Sequence, residues 1–91
     1  MRHALVTGAA GAIGAALARV LRARDARLAL SLADVDPRID AIAAELSGRA
    51  LRWDLAQPDA LDTRLGELVE ASGPVDLLVN CAGVMDVRGI G

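Results

Sequence analysis

LVTGAAGAIGAALARVL, residues 5–21, is the stretch whose reading decides the fold. It passes from an apolar run to an alanine-rich segment through Gly8, Gly11 and Gly14, and between those glycines only Ile13 is larger than alanine. Ala4–Val6 reads as a short buried strand. From Ile13 the period changes: Ile13, Leu17, Val20 and Leu21 follow the i, i+4, i+7, i+8 spacing of an amphipathic helix. A strand, a glycine-rich turn and a helix N-terminus bring free backbone N–H groups and the positive end of a helix dipole to one point, which suits a phosphate. Glycine permits the sharp turn and lets the backbone approach a ligand closely. The plain alternative is a tight strand-to-helix turn that holds nothing.

The rest of the chain extends this pattern. Arg27–Ala33 (RLALSLA) is a second apolar run and reads as a strand. Asp36 then caps a helix with Pro37 at its first position. Ile39, Ile42, Ala43 and Leu46 form its apolar stripe, and Gly48 ends it. Ala50–Trp53 is a third, short strand. Gln57-Pro58-Asp59 opens a third helix with the stripe Leu61, Leu65, Leu68 and Val69, stopped by Gly73-Pro74. Val75–Val79 (VDLLV) is a fourth strand with the nearly continuous apolar face of one covered on both sides, although at the end of the sheet it is expected to keep one bare edge and little helix cover. No element is evident beyond Gly83. The order βαβαβαβ requires parallel strands with right-handed crossovers. The expected fold class is therefore α/β, a Rossmann-like doubly wound parallel sheet with strand order 3-2-1-4.

Composition bounds the reading. The 91 residues are 54% hydrophobic and 24% charged, which suits one small globular domain. Trp53 is the single aromatic residue, so the core must come from Leu, Val, Ile and Ala. All ten basic residues are arginine, yet the net charge is −2 and Asp25 interrupts the Arg19–Arg27 cluster. That cluster reads as a solvated helix face, not a nucleic-acid patch. Cys81 is the lone cysteine, so no internal disulfide forms and a reducing, cytoplasmic compartment is expected. The N-terminal apolar run is broken by Thr7 and the glycines and followed by arginines, so it reads neither as a secretory signal nor as a membrane span. His3 precedes the first strand at the pole away from the glycine turn and is expected at the surface.

The polar residues at the strand ends converge on the same pole as the turn. Asp34 ends the second strand, 34 − 14 = 20 residues after the last glycine. That spacing suits a carboxylate accepting hydrogen bonds from a ribose. Asp54 ends the third strand, and Asn80-Cys81-Ala82-Gly83 ends the fourth. Open α/β sheets bind ligands at these carboxyl ends. Each residue also has a structural reading: Asp34 and Asp54 as turn or Asx caps, Asn80 as a bracket between strands, Cys81 as a buried small side chain.

Taken together, TGAAGAIG (Thr7–Gly14), Asp34, Asp54-Leu55 and NCAG (Asn80–Gly83) resemble the short-chain dehydrogenase/reductase family over essentially the whole chain. The resemblance implies NAD or NADP as cofactor and hydride transfer to or from an alcohol or carbonyl carbon. It implies that Gly8, Gly11, Ala12, Ile13 and Gly14 lie along the pyrophosphate and that Asp34 holds the adenosine ribose. It places Asp54 and Leu55 at the adenine, and Asn80, Ala82 and Gly83 beneath the adenosine half, with Thr7 bracing Asn80. Asp34 would favour NAD over NADP.

Four departures qualify this carry-over. The glycine spacing T-G-x-x-G-x-x-G is that of the extended members, the sugar-nucleotide epimerases and dehydratases, whereas VDLLVNCAG has the compact form. With Ala12 in place of the usual middle glycine, Gly11 is expected to take over, through a positive φ or by lying against the pyrophosphate. NCAG replaces the usual N-N-A-G. Counting without gaps puts Leu32, not Asp34, at the usual acidic position. Finally, the family's serine and Tyr-x-x-x-Lys pair are missing, for the chain has no tyrosine and no lysine. Residues 1–91 thus read as a partial dinucleotide-binding domain cut just past the fourth strand and inactive alone. The complete protein would be an oxidoreductase and a homo-oligomer, with an alcohol or carbonyl substrate and no metal. Two rivals stay open: a noncatalytic dinucleotide-sensing domain and an epimerase or dehydratase relative.

Overall fold

A computed structural model describes residues 2–56 and 59–81. Seven elements follow in the expected order: β1 (His3–Thr7), α1 (Ala12–Arg24), β2 (Ala29–Ala33), α2 (Arg38–Glu45), β3 (Arg49–Leu51), α3 (Ala60–Ser72) and β4 (Leu77–Asn80). The strands form one sheet in the order β3-β2-β1-β4. All three pairings are parallel. β1 is central and buried along its whole length. Two apolar layers sandwich it. One gathers Ala4, Val6, Leu30, Leu32, Ile39 and Ala43 beneath α1 and α2. The other gathers Leu5, Ala33 and Leu68 against α3.

The apolar stripe of α1 departs from expectation. Gly14, Ala15 and Ala18 are its buried residues. Ile13 is 53% exposed, Val20 49% and Leu17 38%. The cause is the closeness of helix and turn: a Cβ on Gly14 would lie 2.2 Å from the Gly8 carbonyl oxygen. Small residues line the contact beside that turn, Leu21 of the expected stripe packs against the core, and Ile13, Leu17 and Val20 stay largely exposed. On the α2 side, Arg19 donates to Glu45 at 2.8 and 3.0 Å.

The ends of α2 are also instructive. The helix begins at Arg38, one residue later than expected, but Pro37 already has helical angles of φ −56 and ψ −22. Asp36 Oδ1 accepts the Arg38 N–H at 2.9 Å. Asp36 therefore caps in substance. At the other end Ser47, not Gly48, takes the left-handed conformation, with φ 53. The Gly48 N–H then reaches the Ala43 carbonyl at 2.8 Å, closing a Schellman turn. Gly48 is needed for room instead, since a Cβ there would stand 2.8 Å from the Leu30 oxygen.

Strand limits shift by at most two residues. β3 spans only Arg49–Leu51, because the Trp53 N–H turns back to the Leu51 carbonyl at 2.9 Å. β4 alternates between half-buried and exposed residues, with Leu78 39% exposed, in line with the slight helix cover expected of it. His3 is not a surface residue. It starts β1, is 5% exposed, and its Nε2 lies 2.7 Å from Ser31 Oγ. Asp76 anchors this amino pole by accepting the N–H groups of Arg2 and His3 at 2.7 and 2.9 Å.

Candidate functional site

The carboxyl pole of the sheet collects the glycine turn and the ends of β2, β3 and β4. Gly8 follows β1 with φ 67, the left-handed value that glycine adopts without strain. Gly11 is the N-cap of α1 with φ −76 and ψ 165. The expected positive φ at Gly11 is thus overturned: Gly8 makes the bend, and Gly11 is ordinary extended backbone. A Cβ at Gly11 would meet the Gly8 oxygen at 3.4 Å, an ordinary contact. The tight position is Gly14. Ala12 and Ile13 open the first turn of α1.

The donors of this turn are unevenly used. The Gly11 N–H bonds the Gly8 carbonyl at 3.1 Å, and the Ala10 N–H bonds Asp34 Oδ2 at 3.0 Å. No side chain caps α1, and its first turn holds no acidic residue. Among the described residues, the N–H groups of Ala12, Ile13 and Gly14 have no acceptor. A helix N-terminus with open donors, no carboxylate of its own and glycine on the approach fits an anionic ligand. Arg22 and Arg24 at the far end complement the dipole.

Asp34 stands just beyond β2. Its Oδ2 takes the Ala10 N–H, and its Oδ1 takes the Asp36 N–H at 3.1 Å. The carboxylate thus ties the glycine turn to the β2–α2 connection, while each oxygen keeps a lone pair for a further donor. Leu32, the ungapped alternative, is fully buried and paired with Val6 inside the sheet, so it cannot reach a ligand. Beside Asp34, the Arg38 side chain holds Asp36 below the usual carboxylate range through its hydrogen bonds at 2.7 and 3.0 Å.

A cleft of about 220 Å³ opens here, lined by Gly8, Ala33, Asp34, Val35, Trp53, Asp54 and Leu55. It brings three expected residues, Asp34, Asp54 and Leu55, against Gly8. Asp54 Oδ1 accepts the Ala56 N–H at 3.0 Å, the Asx turn of its structural reading, and leaves Oδ2 without a partner among the described residues. Val35 and Trp53 were missed in the sequence, because neither residue type signals a ligand there. The one signal was that the chain's single aromatic residue falls directly before Asp54.

At the end of β4, Thr7 Oγ1 donates to Asn80 Oδ1 at 2.7 Å, the brace expected of Thr7. The Cys81 N–H continues the pairing to the Thr7 carbonyl at 3.1 Å. Cys81 is 7% exposed and burial pushes its thiol up, away from a reactive thiolate. Ala82 and Gly83 lie outside the described residues. Among the described residues no cluster of metal-ligating side chains occurs, and no helix is long and apolar enough to cross a membrane.

The sequence profile of the short chain dehydrogenases matches residues 2–90, and the chain belongs to that family. Nodulation protein G of Rhizobium meliloti is 43% identical over 86 residues, which cover 91% of this chain and 34% of that protein. An acetoacetyl-CoA reductase of Shinella zoogloeoides is 35% identical over 83 residues, again 91% of this chain and 34% of the relative. The chain thus spans about a third of the length of the curated relatives it matches. Among solved structures, a short chain dehydrogenase/reductase family oxidoreductase from Aeromonas hydrophila superposes with a TM-score of 0.76 at 28% identity, covering 91% of this chain and 40% of that one. A blue fluorescent protein from a metagenomic library, solved in complex with NADPH, gives 0.66 at 28% identity, covering 85% and 34%.

Proposed function

We propose that this short chain dehydrogenase segment forms the nicotinamide-dinucleotide-binding portion of an oxidoreductase that acts on an alcohol or carbonyl carbon. The observation that carries the proposal is the open first turn of α1. Its N–H groups at Ala12, Ile13 and Gly14 lack acceptors beside a glycine bend, and a pyrophosphate supplies what they lack. Gly8 and Gly11 leave the approach free of side chains. Asp34 would accept from the adenosine ribose with the lone pairs its turn contacts leave over. Asp54 and Leu55 would border the adenine, with Asn80, Ala82 and Gly83 beneath the adenosine half.

When bound, the cofactor supplies or takes up the hydride. The chain's own residues bind and orient it. Proton transfer to or from the substrate oxygen needs a group of tuned pKa, and a chain without tyrosine or lysine does not offer the family's pair. The 91-residue chain is therefore proposed to be inactive alone, the catalytic serine, tyrosine and lysine coming from a further segment. Asp34 favours NAD, since a 2′-phosphate would meet its charge and no cation lies in the Gly8–Gly14 turn. The oxidoreductase names of the relatives favour this reading over the epimerase one. The carboxyl pole and cytoplasmic location are proposed as for a soluble enzyme, and a homo-oligomer for the complete protein.

Calorimetric titration of the chain with NAD and NADP tests the binding role, and assay of the chain against alcohols and ketones tests its inactivity. Saturable dinucleotide binding without turnover is expected. Absence of binding by a folded chain overturns the binding role, and turnover above a matched blank overturns the inactivity. A Tyr-x-x-x-Lys pair encoded downstream would support the enzyme over a noncatalytic sensor.

A further inference from the structure

We infer that Trp53 determines the ligand preference of the carboxyl-pole cleft: its indole is the apolar wall against which a purine base lies. The inference rests on the proposed reading that this cleft takes the adenosine half of a dinucleotide. It adds a residue that neither the glycine turn nor the strand-end carboxylates call for.

Trp53 is the chain's only aromatic residue. It borders the cleft of about 220 Å³ together with Val35, Asp34 and Asp54. Behind it, the side chain packs against the cluster of Leu5, Ala33 and Leu68 but stays only partly buried. Its backbone is pinned by the hydrogen bond to Leu51 at 2.9 Å. Trp53 is therefore anchored on the core while it borders the cleft. Val35, 57% exposed, adds a second apolar lining group without cover of its own.

The chemistry of the cleft selects among ligands. It is apolar at Trp53 and Val35 and carries carboxylates at Asp34 and Asp54. Carboxylates repel phosphate and accept from hydroxyl and amino groups. An aromatic wall favours a flat π-system over a saturated ring. A neutral heteroaromatic base with an exocyclic amine, joined to a ribose with free hydroxyls, satisfies all three. A phosphate meets the repulsion of the carboxylates, and an aliphatic ligand gains only the apolar contact. Asp54 Oδ2, without a partner among the described residues, is the acceptor available to the amine.

The chain contains no tyrosine or phenylalanine, so its aromatic emission reports on Trp53 alone. The chain is titrated with AMP, ADP-ribose and nicotinamide mononucleotide, following tryptophan emission and heat in parallel. AMP and ADP-ribose are expected to change the emission saturably, with the Kd given by the heat; nicotinamide mononucleotide is expected to leave it unchanged. Trp53→Leu, with folding checked by circular dichroism, should bind ADP-ribose roughly tenfold more weakly, and Trp53→Phe should lose much less. If ADP-ribose binds by heat while emission stays constant, or if folded Trp53→Leu keeps the parent affinity, the inference is wrong and the binding role stands. If the folded parent binds neither NAD nor ADP-ribose, the binding role fails and the inference with it. Should Trp53→Leu not fold, the parent's emission decides the matter.

Discussion

Gly14→Ala should damage this protein although it adds a single methyl group and improves helix propensity. A Cβ at position 14 would stand 2.2 Å from the Gly8 oxygen, 2.8 Å from Ala9 Cα and 2.8 Å from the Gly8 carbonyl carbon. All three are backbone atoms, so no rotamer can move aside. The ordinary contact at Gly11 is 3.4 Å, and the shortfall is 3.4 − 2.2 = 1.2 Å. The start of α1 would have to lift by about that distance from the turn, opening the contact that Ala15 and Ala18 make with the sheet. Overpacking of this kind costs about 1–3 kcal/mol or more. Removing a helical glycine returns about 1 kcal/mol. An overlap of this depth with backbone atoms belongs at the upper end of that range, so a net loss of about 2 kcal/mol is expected, which in a domain of this size lowers Tm by roughly 10 °C.

The control is Gly11→Ala, three residues away in the same turn. Its new Cβ meets only an ordinary contact, and its φ of −76 suits any residue. Stability should change by no more than about 0.5 kcal/mol, the range of uncrowded substitutions. Urea or thermal unfolding of the three chains, followed by circular dichroism, gives the comparison. If Gly14→Ala is as stable as the parent, the close seat of α1 on the Gly8 turn is wrong.

Three further outcomes follow from the described contacts. Asp34→Ala should lower stability by about 1–3 kcal/mol through loss of its bonds to the Ala10 and Asp36 N–H groups, read by urea unfolding, and should narrow the NAD-to-NADP ratio of kcat/KM in the complete enzyme. Ser47→Gly should stabilise by up to about 1 kcal/mol by relieving the left-handed φ, whereas Gly48→Ala should destabilise because its Cβ meets the Leu30 carbonyl; thermal melts distinguish the two. Backbone hydrogen bonds from Arg2 and His3 hold Asp76 below the usual carboxylate range, so its contribution is complete above that range and is lost as pH falls through the lowered value; the acid limb of urea midpoint against pH should be shallower in Asp76→Asn.

Legibility followed the physics of each signal. Element order, strand order and the carboxyl-pole cluster were readable because strand-turn-helix alternation and parallel pairing leave little choice. Asp34 could be placed from the end of its apolar run, and burial of Leu32 removes the competing count. The His3–Ser31 pair could not be read. Two polar residues in apolar runs look like a surface start and an interruption, and only the strand register brings them together across β1 and β2. The left-handed Ser47 was equally hidden, since a glycine directly after it offered the usual explanation for the helix end.

The case of α1 explains why the remaining errors share a form. An apolar period shows that a helix has two unlike faces, but not how near it sits to its neighbour. Ile13, Leu17 and Val20 satisfy that period yet lie exposed, while Leu21 packs against the core. Gly14 seats the helix against the turn, and Ala15 and Ala18 are buried beside it. The same contact holds the N-terminus of α1 against the Gly8 bend, beside the N–H groups of Ala12, Ile13 and Gly14 that have no acceptor among the described residues. The close seat of α1 and the placement of the open N–H groups of its first turn both depend on the Gly14 contact, and Gly14→Ala should disturb them together.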